Sequence, residues 1–116
     1  MKYKLIVTMV EDGKTRKLSK AAREAGATGV TVVANARGEG ATRKLGILGL
    51  EITDMRDVLL FLVEAPRARR VLETLAEVGQ FEKSSGRGIA FQIDVDDALG
   101  VRHQMQSFED ELEEDR

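Results

Sequence analysis

Four short apolar segments along the chain have the composition and spacing of β-strands. They are Tyr3–Val10, Val30–Ala36, Val58–Glu64 and Ile89–Val95. Val, Leu, Ile and Phe dominate them, as in strands that are at least half buried. In the first segment both sets of alternating positions are largely apolar, which is typical of a central strand covered on both sides.

Two amphipathic segments between these strands predict helices. From Lys14 to Ala25 apolar residues recur at the spacing of one helical face, and Gly26 follows as a favourable helix-ending residue. The second helix is expected to open at Pro66, whose missing N–H costs nothing in a first turn, and to end at Gly79. The apolar faces comprise Leu18, Ala21, Ala22 and Ala25 in the first helix, and Val71, Leu72, Leu75, Ala76 and Val78 in the second.

The predicted order, β-α-β-β-α-β, is that of the ferredoxin-like α+β fold. This fold has a four-stranded antiparallel sheet with both helices on one face. Because the strands are apolar on both sides, the other face is expected to be covered in an oligomer whose sheets meet at its centre. The fold alone implies no function.

Composition narrows the functional classes. The chain has 116 residues, of which 42% are hydrophobic and 33% charged, a net charge of −2 and no cysteine. One globular domain without disulfides or thiolate metal sites is expected, and the charge gives no reason to expect nucleic acid as a partner. No segment is apolar enough to span a membrane, and the N-terminal segment is too short for a signal peptide, which predicts a cytoplasmic protein.

No catalytic set is recognisable. The single histidine, His103, has no second histidine, cysteine or carboxylate at ligand spacing, which argues against a metal site. It also lies far from any serine in a strained turn, so no Ser-His-Asp arrangement can be argued. Asp94, Asp96 and Asp97 are interpreted as capping or solvated groups at a strand end. We therefore predict a binding protein and not an enzyme, with no catalytic or metal-binding residues.

Two loops carry glycines and arginines suited to binding phosphate. A loop of about twenty residues between the second and third strands opens on Arg37-Gly38-Glu39-Gly40, and Gly86-Arg87-Gly88 directly precedes the fourth strand. Glycine lets backbone N–H groups approach an anion, and arginine adds bidentate charge-assisted hydrogen bonds. Two ordinary glycine turns are the alternative. The long loop is correspondingly either functional or a flexible hairpin extension.

The long loop also contains an apolar tip, Leu45–Leu50, which directly follows the basic residues Arg43 and Lys44. Apolar groups at the tip of a loop are costly in water unless they dock against something. Docking into a partner protein and packing back onto the protein itself are the two interpretations. The residues predicted to bind a partner are Arg43, Lys44, Leu45, Ile47, Leu48 and Leu50.

With these features the chain resembles the PII signal-transduction proteins over about residues 2–102. The resemblance rests on AREAGATGVTV, the RGEG opening of the long loop, the VLLFLV strand and the ending G-R-G-x-x-F-x-x-D-V, which are specific only in combination. It implies a PII-like domain over 1–103, with a T-loop at about 39–56 and a B-loop at about 83–89. Residues 104–116 are interpreted as a solvated acidic tail, with a helix against a partner as the alternative.

The resemblance implies a homotrimeric regulator, of the kind used in nitrogen regulation, that binds an adenine nucleotide in clefts between subunits. Its T-loop is expected to engage a target protein, most readily the cytoplasmic mouth of a membrane transporter, without inserting into the membrane itself. Nucleotide contacts are implied for Val7, Thr31, Arg37, Gly38, Gly40, Arg56, Leu62, Gly86, Arg87, Gly88, Ile89 and Arg102.

Several positions depart from the family pattern. Ala41-Thr42 replaces an Arg-Gln pair whose glutamine serves 2-oxoglutarate and Mg²⁺ binding, so the familiar 2-oxoglutarate response is not expected and Mg²⁺ is left open. Arg56 and Ile89 stand where the family has lysines, and Gly100 replaces an arginine. Fewer cations offset less phosphate charge, so AMP, ADP or a cyclic nucleotide fits as well as ATP. A T-loop without tyrosine excludes uridylylation there.

Two alternative functions use the same architecture. One is a small trimeric metal- or ligand-binding protein of the divalent-cation tolerance type, against which the single histidine and the absence of cysteine count. The other is an assembly domain that binds no ligand.

Overall fold

Four strands and two helices form in the predicted order in the computed structural model, which describes residues 2–11, 13–36, 56–83 and 87–101. The ferredoxin-like α+β prediction is confirmed. The elements are β1 (Tyr3–Glu11), α1 (Thr15–Ala25), β2 (Thr31–Ala36), β3 (Arg56–Glu64), α2 (Ala65–Gly79) and β4 (Gly88–Val95).

The strands form one antiparallel sheet in the order β2-β3-β1-β4. β1 is central, as predicted, and pairs with β3 from Tyr3 opposite Glu64 to Glu11 opposite Arg56. Glu11 is therefore the last residue of a strand, whereas the sequence placed it in the following turn. β3 leads into α2 without a connecting loop, and the N–H of Ala65 donates to the carbonyl of Lys2 at 2.9 Å.

One face of the sheet and the two helices enclose the core. Alternate side chains of β1 and β3 lie on this face, and Phe61 and Ile6 are the largest of those that are fully buried. Burying each such side chain contributes roughly 1.5–3 kcal/mol. The predicted helix faces supply the other half of the core. The fully buried helical residues are Leu18, Ala22, Ala68, Val71 and Leu75.

The opposite face of the sheet, here called the open face, is also apolar. Because directly paired residues share a face, Val7 of β1 lies beside Leu60 of β3 and Phe91 of β4. Its side chains are half-buried or exposed in the single chain, with Ile93 and Val33 each 48% exposed. The apolar side chains of the open face on the three longest strands are Leu5, Val7, Met9, Val58, Leu60, Leu62, Ile89, Phe91, Ile93 and Val95.

The two helices end differently. Gly26 follows α1 with a φ of +126°, and the N–H of Ala27 reaches back to the carbonyl of Ala22 at 2.9 Å, as the sequence predicts. α2 also ends at its predicted residue, Gly79, but its left-handed residue is not a glycine. Gly79 is the last helical residue, and Gln80 takes the left-handed conformation with a φ of 56°.

A buried hydroxyl of β1 offers a test of core energetics. Thr8 is fully buried, and its Oγ1 has no hydrogen-bond partner among the described residues. We expect Thr8→Val to raise the free energy of unfolding by about 1 kcal/mol, because an isosteric methyl group removes an unpaired polar atom from the core. Urea denaturation measures the change.

Thr28 provides the control for this substitution. Its hydroxyl donates to the carbonyl of Leu62 at 3.4 Å, so that Thr28→Val makes the same chemical change but removes a hydrogen bond. We expect Thr28→Val to destabilise the protein, by about 1 kcal/mol or less. A loss of stability in Thr8→Val would contradict the assignment of an unpaired hydroxyl.

Candidate functional site

The long loop and the loop before β4 leave the sheet at the same end. β1 and β2 end there, and β3 and β4 begin there. Arg56 pairs with Glu11 on one side and with Ala36 on the other, and Gly88 pairs with Val10. The antiparallel register therefore brings together the strand residues that flank both loops, here called the loop roots.

The root of the long loop contains a β-bulge. Val33 pairs with Val58 and Ala36 pairs with Arg56, so two residues of β2 stand opposite the single residue Asp57 of β3. A bulge bends its strand and increases the local twist, and bulges are frequent beside functional sites. Here the bulge directs the last residues of β2 into the loop.

The apolar residues predicted to contact a nucleotide lie together on the open face. Thr31, Leu60, Val7 and Phe91 form one row across the four strands. Leu62 lies in the next row, opposite Leu5. The structure thus brings Val7, Thr31 and Leu62 into two neighbouring rows, with one hydroxyl on an otherwise apolar surface.

Two arginines stand at the loop end of the same surface. Arg56 is the first residue of β3, although the sequence placed it in the loop, and it shares the open face with its partner Glu11. Arg87 directly precedes Gly88, the first residue of β4. Extending the β1–β4 register by one residue from the Val10–Gly88 pair sets Arg87 opposite Glu11. Both arginines are partly buried, and Ile89 follows on the open face opposite Met9.

A buried contact beside Arg56 is not among the features predicted from the sequence. Asp57 is only 8% exposed, and its carboxylate accepts a hydrogen bond from the hydroxyl of Thr15, the first residue of α1. A carboxylate near a helix N-terminus also interacts favourably with the helix dipole. The signal was available, because the two-residue alternation of Leu59, Phe61 and Val63 extends backwards to Asp57 on the core side.

A separate cleft of 420 Å³ lies at the far end of the sheet, away from both loops. Lys2, Lys4, Asp94 and Asp96 are among its lining residues, and of the predicted nucleotide-binding residues that the structure describes, none lines it. Lys4 faces Asp94 across the β1–β4 pair, and its hydrogen bond and charge hold the pKa of Asp94 below its ordinary value. This cleft is therefore distinct from the candidate site.

The described residues hold neither a metal-ligand cluster nor a membrane-spanning helix. In the ranges 2–11, 13–36, 56–83 and 87–101, no three His, Cys, Asp or Glu side chains are grouped as metal ligands would be. Over the same ranges, no helix is long and apolar enough to cross a membrane.

The remaining predicted site residues lie outside the described part of the chain. For the nucleotide they are Arg37, Gly38, Gly40, Gly86 and Arg102. For the partner they are Arg43, Lys44, Leu45, Ile47, Leu48 and Leu50.

Comparison with known proteins finds one matching family and several similar structures. The profile of the family described as nitrogen regulatory protein P-II matches residues 3–105. A PII-like signalling protein from Thermus thermophilus has 24% sequence identity and a TM-score of 0.59, over 82% of this chain and 87% of that chain. No curated protein has a significantly similar sequence.

A second similar protein is CPII from Thiomonas intermedia. Its structure bound to ADP, AMP and acetate has 17% identity and a TM-score of 0.64, over 87% of this chain and 93% of that chain. Its structure with ADP, AMP and bicarbonate has 17% identity and a TM-score of 0.61, over 88% and 97% of the respective chains. At this level of identity, the similarity to both proteins concerns the fold.

Proposed function

Since this chain belongs to the nitrogen regulatory protein P-II family, we propose that it is a trimeric regulator that binds an adenine nucleotide between its subunits. In this proposal it acts in the cytoplasm as a binding protein and catalyses no reaction. The observation that carries the proposal is the convergence of two arginine-bearing loop roots at one end of an apolar sheet face.

The open face supports the assembly of several subunits. Ile93 on β4 and Val33 on β2 are half exposed at opposite edges of a sheet face whose central side chains are also apolar. A contiguous apolar surface of this kind usually marks an interface. In the proposed trimer, sheets from three copies cover one another, and the cleft for the nucleotide forms where two copies meet.

The proposed nucleotide position follows from the chemistry of the surface. The base lies against the apolar rows around Val7 and Leu62, with the Thr31 hydroxyl available for a hydrogen bond. The phosphates lie toward Arg56 and Arg87 at the loop end. Val7 and Glu11 are four residues apart on β1, a span of about 13 Å in a strand, which is on the scale of an extended nucleoside diphosphate.

The identity of the nucleotide is proposed from the charge of the site and from a relative. Ile89 and Gly100 stand where the family has a lysine and an arginine, so AMP and ADP fit the site at least as well as ATP, because each added phosphate needs more positive charge to offset it. CPII, which shares the fold, has been determined with ADP and AMP bound and with bicarbonate. ADP and AMP are therefore the first ligands to test, with bicarbonate as a candidate second effector.

Titration calorimetry tests this proposal directly. Purified protein is titrated with ATP, ADP, AMP and cyclic AMP, each with and without Mg²⁺ and each with and without bicarbonate. We expect saturable binding of ADP or AMP, together with a rise in melting temperature, because a ligand that binds only the folded state stabilises it. Absence of binding by all four nucleotides would overturn the proposal and leave the two alternatives, a protein of the divalent-cation tolerance type and a ligand-free assembly domain.

The long loop is proposed to carry the nucleotide signal to a target protein, such as a membrane transporter. Deleting Leu45–Leu50, the apolar tip of that loop, is expected to abolish capture of the target while leaving assembly and nucleotide binding unchanged. Nucleotide-dependent pull-down from cell extract measures capture, and a Ser-Gly segment of equal length is the control for loop length. Capture that survives the deletion would show that the tip is not the docking element.

A further inference from the structure

The side chain of Phe81 lies between two glycines that flank the loop before β4. A Cβ atom added to Gly79 would come within 3.0 Å of Cδ1, Cε1 and Cζ of the Phe81 ring. A Cβ atom added to Gly88 would come within 3.0 Å of the same three atoms. One edge of the ring therefore occupies the space that side chains at both positions would need.

These glycines are not explained by backbone conformation. Neither Gly79 nor Gly88 has a φ in the left-handed region, where glycine is favoured. Gly79 is the last residue of α2 and Gly88 the first of β4. The left-handed residue of this turn is Gln80. What both glycines provide is room for the ring.

Two backbone hydrogen bonds hold the main chain at Phe81 and just after it. The N–H of Phe81 donates to the carbonyl of Ala76 at 3.0 Å, and the N–H of Lys83 donates to the carbonyl of Gln80 at 3.2 Å. The ring is partly buried and packs against the core cluster under the helices. Phe81 is thus fixed to α2 at its backbone and touches β4 with its ring.

We infer that Phe81 is a positioning residue for Arg87. Gly88 pairs with Val10, whose side chain faces the core, so the ring contacts β4 from the core side. Arg87 directly precedes β4, and extending the alternation of the strand by one residue sets its side chain on the opposite side of the sheet from Gly88. The ring therefore fixes the backbone from which Arg87 extends on the open face. This inference rests on the proposed function, in which Arg87 binds phosphate.

Two substitutions test this role without altering Arg87: one removes the ring and the other displaces it. Phe81→Leu removes the ring edge that contacts β4. Gly79→Ala adds a methyl group that displaces the ring from the α2 side, although alanine normally favours a helix over glycine. Leu72→Ala is the control, because it removes comparable apolar volume from a partly buried side chain packed on the same core.

The readout is the affinity for ADP compared with that for adenosine, which has no phosphate. Phe81→Leu and Gly79→Ala are each expected to weaken ADP binding by about tenfold, as loss of a well-aligned charged hydrogen bond would, and to leave adenosine binding unchanged. Leu72→Ala is expected to change neither. If Phe81 had a purely structural role, its substitution would weaken the binding of both ligands or of neither. Either result would overturn the inference.

Two further measurements separate this inference from the proposed function. If Arg87→Ala weakens ADP binding while Phe81→Leu and Gly79→Ala do not, only the positioning role is wrong. If the wild type binds no nucleotide, the proposed function is wrong, and amide hydrogen exchange at Lys83, Arg87 and Gly88 still tests the ring contact. Faster exchange in Phe81→Leu than in Leu72→Ala supports the contact, and equal exchange refutes it.

Discussion

Arg87→Ala is expected to lower the affinity for ADP by about 10- to 150-fold. A hydrogen bond to a charged group contributes about 1.5–3 kcal/mol, and each 1.4 kcal/mol corresponds to a tenfold change in affinity. Arg87 stands at the loop end of the open face, one residue before Gly88. The loss is expected in the phosphate contacts alone, so the affinity for adenosine stays unchanged.

Two variants sharpen this test. Arg87→Lys keeps the charge but loses the planar fork that binds phosphate in a bidentate manner, so its ADP affinity is expected to fall between those of wild type and Arg87→Ala. Arg69→Ala removes an exposed cation of α2 that is paired with Glu73 at 2.7 Å, and it is expected to bind ADP as wild type does. Titration calorimetry compares them. Equal affinity in Arg87→Ala and wild type would remove Arg87 from the site.

A carboxylate on the open face is expected to prevent assembly. Ile93→Glu and Val33→Glu each place a charge on this face, at its two opposite edges. Burying an unpaired carboxylate costs several kcal/mol, and every subunit of the proposed trimer would bear one. We expect each variant to be a folded monomer of 12.8 kDa, where the wild type has about three times that mass. Light scattering after size exclusion measures the mass.

Val32→Glu is the control for the assembly experiment. Val32 is the neighbour of Val33 on β2, and with 41% of its surface exposed it is nearly as accessible. It pairs with Leu59, so it faces the helix side of the sheet and not the open face. The trimer is expected to survive in Val32→Glu. Trimers in both Ile93→Glu and Val33→Glu would show that the open face is not the interface.

Hydrophobic periodicity was sufficient to predict the element order and the core faces of both helices. Leu18 and Ala22 on α1, and Val71 and Leu75 on α2, are buried as their spacing requires. The apolar residues at both sets of alternating positions in β1 also predicted that this strand is central. These features depend on short-range alternation, which a single sequence records directly.

The ends of elements were harder to predict, because polar residues at a strand end look like loop residues. Arg56 and Asp57 extend β3 by two residues beyond the apolar run. Gly79 illustrates a second difficulty, since glycine serves backbone conformation in some places and close packing in others. Only the position of the Phe81 ring distinguishes these uses, and that position depends on contacts between residues distant in the sequence.

The sequence names candidate site residues but not their arrangement, and their membership of a nucleotide site stays a prediction. Arg87 was identified from its glycine-flanked loop, and the family resemblance added Val7, Thr31, Leu62 and Arg56. Only strand register relates them to one face of the sheet. Register depends on the bulge in β2 and on the β1–β4 pairing, neither of which has a local signature. The alternation of β3 indicates that Asp57 is buried, but not that it contacts Thr15, because the two partners belong to different elements.

The paired ends of the long loop have an evolutionary consequence. β2 and β3 stay paired as far as Ala36 and Arg56, and Asp57 is tied to α1 through Thr15. A segment between such fixed ends can change in length at little cost, because the entropy of loop closure grows only with the logarithm of loop length. The number and kind of residues between positions 37 and 55 can therefore diverge among descendants, while the paired strand ends are inherited unchanged.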